Sequence, residues 1–86
     1  MEQSDLDVEI SWHMLSDMFA IDKKYEYMMK PNYSMGTELE LANKRDKEML
    51  AKYYELMGDK SITDESKRIF ITMFKGQYPW MEALMP

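Results

Sequence analysis

Glu9, His13 and Asp17 are the first residues of this sequence whose types and spacing could do chemistry together. On a helix they stand at i, i+4 and i+8 and project from one side. Such a carboxylate–imidazole–carboxylate row could hold a divalent metal or orient a general base. The chain has a single histidine, however, and charge rows at this spacing are ordinary on solvated helix surfaces. The row is read as a polar stripe. A second group, Asp59, Ser61, Thr63 and Glu65, has the alternating oxygens of a calcium loop. An EF-hand needs Gly at its sixth position and Glu at its twelfth, where this chain has Asp64 and Phe70. The calcium reading fails at both. Without cysteine, thiolate catalysis, disulfides and cysteine zinc sites are excluded as well. The expectation is a protein with no catalytic residue, no metal ligand and no cofactor.

Asp46 is the acid that stands out, because it interrupts an otherwise apolar stripe of Leu39, Ala42, Met49, Leu50, Tyr53 and Met57. A carboxylate there must reach water at the stripe's edge or be paired, since burying it bare is costly. A basic side chain from another helix, a tyrosine hydroxyl or His13 would serve as partner, and a buried polar pair of this kind can set specificity. The segment Gly58-Asp59-Lys60-Ser61-Ile62 resembles the phosphopantetheine site of acyl carrier proteins over those five residues. Lys60 stands where that site has Asp, and 25 residues are too few for the helices such carriers place after the serine. Basic residues gather as Lys44, Arg45, Lys47 and Lys52, and again as Lys67 and Arg68. Glu40, Asp46, Glu48 and Glu55 interrupt the first group, which reads as ion-paired surface helix and not as a nucleic-acid face.

The elements that must position these residues are helices. Thr37 and Glu40 have the spacing of a capping box, and Gly58 supplies a left-handed stop, so a helix is predicted over 38–57. Thr63 as N-cap, Asp64 and Glu65 in the first turn, and Lys75-Gly76 at the end predict a helix over 64–75 with Ile69, Phe70, Met73 and Phe74 on its apolar face. Residues 5–12 are ambiguous. Leu6, Val8, Ile10 and Trp12 alternate with polar residues as a strand would, but only residues 69–74 could pair with them. A helix over about 5–30 with Ser4 as its cap is therefore predicted, with its apolar residues covering more than half the circumference. Twenty-five helical residues span roughly 38 Å, against a radius of gyration of about 12 Å for a compact domain of this size. The helix therefore kinks near 22–24 or overhangs and meets a second chain. Pro31 ends it, residues 31–36 form a loop, and Pro79 opens a short C-terminal helical turn.

Composition bounds the function. Eighty-six residues suffice for one small domain, 1–86. The acidic N-terminus has no basic-then-apolar leader pattern and no apolar run spans a membrane, so a cytoplasmic location is expected. Eleven methionines, two tryptophans, six tyrosines and three phenylalanines supply either an adaptable core or surfaces that repack against partners. With no catalytic group, the leading expectation is an all-α, non-enzymatic protein-binding module: an adaptor, assembly factor or inhibitor, with a homodimer as one form of it. The alternative is an acidic inhibitor filling the basic groove of a nucleic-acid-binding protein, as phage-type inhibitors or DNA mimics do. A net charge of −5 allows this but is modest for a mimic. A metal-dependent enzyme comes third. The expected partner-binding residues are Tyr78, Trp80, Met81 and Leu84 at the C-terminal end and Trp12 and Phe19 on the first helix. Trp80 is the expected anchor and Trp12 the expected core residue.

Overall fold

Among the described residues the chain forms three helices and a terminal turn. The computed structural model describes residues 3–29 and 35–85, with α1 at Gln3–Met28, α2 at Met35–Met57, α3 at Asp64–Gln77 and a 3₁₀ turn, η1, at Pro79–Leu84. No strand occurs among the described residues, so the alternation in residues 6–12 is helical. The loop expected at 31–36 falls largely outside the described residues, and Gly36 already belongs to α2.

Helix directions follow from the polar pairs. Lys24 meets Glu48 and Asp17 meets Lys52, so α2 runs antiparallel to α1. Asp7 meets Thr63 while Asp22 meets Tyr78, so α3 runs parallel to α1. The buried core lies between them and consists of Met14, Leu15, Met18, Met49, Tyr53, Leu56, Phe70, Phe74, Tyr78 and Met81. Tyr53, Phe70 and Phe74 form a stack with ring planes 17–29° apart. Four methionines fill the gaps around these flat rings, a use suited to their unbranched side chains. Much of the methionine excess is therefore core.

Several local expectations need correction. α1 is helical without interruption through 22–24, so no break shortens it. The body is accordingly elongated, 49 × 25 × 20 Å with a radius of gyration of 14.5 Å. α1 begins at Gln3, which places Ser4 inside the helix. α2 begins at Met35, which places Thr37 inside its first turn and not at its cap. Gly58 does not adopt a left-handed conformation. α2 ends instead by tightening, with Gly58 N–H donating to the Tyr54 carbonyl and Asp59 N–H to that of Leu56. Gly76 lies within α3, which continues to Gln77. Pro79 is the real stop, since it keeps Tyr78 out of helical backbone, at φ −129° and ψ 69°. Thr63 does cap α3, its Oγ1 accepting from the Ser66 N–H at 3.1 Å.

Candidate functional site

The first half of α1 is sorted opposite to expectation. Asp7 and Ser11, not Trp12, point inward, and Leu6, Val8 and Trp12 point outward. The cause is a buried polar network made with α3. The Asp7 carboxylate, in a residue only 3% exposed, accepts from Thr63 Oγ1 at 2.8 Å and from Ser66 Oγ at 2.9 Å. Ser11 Oγ lies 2.6 Å from the Asp7 carbonyl and 2.9 Å from that of Ser66. Ser11 and Ser66 are fully buried small residues that let α1 and α3 approach closely. A polar group taken from water must be hydrogen-bonded, and these are. Once Asp7 and Ser11 face α3, the helical period turns Trp12 away, and it is 52% exposed. Trp12 is thus not a core residue. The signal for this was the i, i+4 pair Asp7/Ser11 aligned with Leu15 and Met18, set against Thr63 and Ser66.

The C-terminal end is organised around Arg45 and Asp46. Arg45 bridges its neighbour Asp46 at 3.1 Å and reaches Asp22 of α1 at 3.9 Å. Its guanidinium also lies 5.2 Å from the centre of the Trp80 ring, a cation–π placement. Trp80 Nε1 donates to Asp46 Oδ1 at 3.2 Å. Asp46 is therefore paired at the edge of the stripe, by its sequence neighbour on α2 and by η1. Tyr78 sits beneath, edge-on to both Phe19 and Trp80 at 6.2 and 5.5 Å, with its hydroxyl 3.4 Å from Asp22. Burial, followed by the charge of Asp22, pushes the Tyr78 phenol up to about 12.

These placements divide the six expected binding residues. Tyr78 and Met81 are buried in the core and offer no free surface, because η1 folds back against the middle of α2 and against α3. Phe19 is partly buried against the core. Trp80, 46% exposed, and Leu84 remain at the surface, but Trp80 is engaged by Arg45 and Asp46. Trp12 is exposed on a different helix stretch and is not part of that cluster.

Glu48 links α1 to α2. Glu48 accepts from Lys24 Nζ and from the Tyr25 hydroxyl, both at 2.6 Å. These bonds hold its carboxyl below the usual carboxylate range and raise both donors. Beside this link, a groove of about 380 Å³ runs between α1 and α2, lined by Asp17, Ile21, Glu48, Lys52 and Glu55. Lys52 spans Asp17 and Glu55 in it, at 3.9 and 3.4 Å. Glu9, His13 and Asp17 are exposed, and no cluster of three metal-ligating groups occurs among the described residues. Asp59 closes a tight turn, its Oδ1 accepting from the Ser61 N–H and hydroxyl at 2.9 and 2.6 Å. That pair of bonds lowers the Asp59 carboxyl. Lys44 pairs with Glu40 and Arg68 with Glu65, as surface helix ion pairs do. Among the described residues, no helix is long and apolar enough to cross a membrane.

Compared with known proteins, the chain matches no family, no curated protein and no solved structure.

Proposed function

We propose that this chain is a non-enzymatic protein-binding module, an adaptor, assembly factor or inhibitor, whose binding face is the outer side of α1 with Trp12 as its anchor. One observation carries the reading. Trp12 stands 52% exposed on a helix whose opposite side is tied to α3 by the Asp7–Ser11–Thr63–Ser66 network. Val8, one turn earlier, is exposed as well. A large aromatic with few rotatable bonds, carried on a helix already fixed in the fold, loses little conformational freedom on contact, and tryptophan is enriched among the residues that dominate interfaces. Trp80 is the weaker candidate, because its ring and N–H already serve Arg45 and Asp46.

The acidic-inhibitor alternative has less support. A mimic of nucleic acid needs acids free of neighbouring bases, whereas Glu40, Glu48, Glu65 and Asp17 each have a basic partner in the fold. The reading is tested by parallel capture from the native cell on immobilised wild-type and Trp12→Ala chains, followed by mass spectrometry. A stoichiometric partner held by the first and lost by the second is expected. Equal recovery on both would overturn the assignment of Trp12.

A further inference from the structure

We infer that the partner for this face is a second copy of the chain, docked antiparallel along α1. The inference rests on the reading of α1 as the binding face and names its occupant. Glu9, Trp12, Ser16, Ala20 and Lys23 form one stripe along α1, and all five are exposed, Ala20 at the edge of the groove against α2. Glu9, Ser16 and Lys23 repeat every seven residues, the spacing that keeps one helix face against another. Neither Glu9 nor Lys23 has an ion-pair partner among the described residues.

The stripe is complementary to its own reverse. With a two-fold axis beside Ser16, Glu9 of one copy meets Lys23 of the other, and Trp12 meets Ala20, each pairing occurring twice. Ser16 lies opposite itself, its hydroxyl turned back onto the Trp12 carbonyl at 3.0 Å, so the contact at the axis is small. Small residues at the crossing allow helix axes to approach to about 8 Å, and the large ring then lies over a methyl group. A parallel arrangement would set Glu9 against Glu9 and Lys23 against Lys23, which selects the antiparallel one. α1 is unbroken from Gln3 to Met28, so the stripe from Glu9 to Lys23 is continuous. The charge of −5 on each copy opposes association only weakly at about 0.15 M salt, where the screening length is about 8 Å.

Sedimentation equilibrium on the full chain tests this through charge reversal. The wild type is expected to show a monomer–dimer equilibrium, and Glu9→Lys and Lys23→Glu each to weaken it about tenfold, since each reversal acts at two symmetric contacts. An equimolar mixture of the two reversed chains is expected to associate again, because each then supplies what the other lacks. Circular dichroism should be unchanged in both, as the two side chains are exposed. A wild type that stays monomeric to millimolar concentration, or a dimer indifferent to both reversals, would overturn the second copy as occupant. In either case a captured partner lost on Trp12→Ala would leave the protein-binding reading standing. A dimer with the expected charge response but unaffected by Trp12→Ala would instead overturn the anchor role of Trp12.

Discussion

Replacing Asp7 by Ala is expected to destabilise the protein more than replacing Trp12 by Ala, although one loses a short polar side chain and the other a large aromatic. Asp7 is 3% exposed and its carboxylate accepts two hydroxyl bonds, from Thr63 at 2.8 Å and Ser66 at 2.9 Å. Hydrogen bonds to a charged group contribute about 1.5–3 kcal/mol each. Part of that is recovered on truncation. Thr63 is exposed and can turn to water, and Ser66 Oγ keeps Thr63 Oγ1 at 2.8 Å. The carboxylate's own desolvation cost also disappears. The net loss comes to about 2–4 kcal/mol. With a urea slope of about 1–1.5 kcal/mol per molar for a small domain, the midpoint should fall by about 2 M. Trp12 leaves half its surface in water, so Trp12→Ala should cost about 1–2 kcal/mol, below the 3–5 kcal/mol of a fully buried ring. Equilibrium urea unfolding followed by far-ultraviolet circular dichroism measures both. A loss under about 1 kcal/mol for Asp7→Ala together with more than about 3 kcal/mol for Trp12→Ala would refute the inward assignment of Asp7 and Ser11.

Phe74→Ala should cost about 3–5 kcal/mol, because the ring is fully buried between Tyr53, Phe70 and Tyr78. A loss under about 1 kcal/mol in thermal unfolding would count against the aromatic stack. Gly76→Ala should stabilise by about 0.5–1 kcal/mol, since Gly76 is helical and an added Cβ would meet nothing within 4 Å; a lower melting temperature would contradict this. Tyr78 is expected to contribute to an alkaline loss of stability. Its phenol is raised to about 12, so its stabilising contribution is complete below the ordinary value of 10.0 and is lost as pH rises from there to about 12. Tyr78→Phe should flatten the stability profile over that window in an alkaline titration, and an unchanged slope would argue against a buried hydroxyl.

Helix content was legible from residue order, because its determinants are local. Thr63 followed by Asp64 and Glu65, the 3.6-residue recurrence of Met49, Tyr53 and Leu56, and Pro79 after Tyr78 each act within a turn or two of chain. Asp46 was also readable as a carboxylate in need of a partner. Helix ends were read less accurately. Gly58 and Gly76 looked like stops, yet one ends its helix without a left-handed residue and the other is passed over.

Which side of α1 faces inward was decided by tertiary packing. Along α1 alone, Leu6, Val8 and Trp12 compete with Asp7 and Ser11 for the core, and hydrophobicity favours the former. α3 reverses the outcome by presenting Thr63 and Ser66 at the right height, where two hydroxyls and a close helix contact favour a carboxylate and a serine. The partner of Asp46 was settled in the same way, by η1 bringing the Trp80 N–H back onto α2. Local order therefore determined that this chain is helical and roughly where. The pairing of residues 55 or more positions apart determined which faces it buries and which it leaves exposed, since hydrogen-bond geometry between helices has no trace in the periodicity of either one.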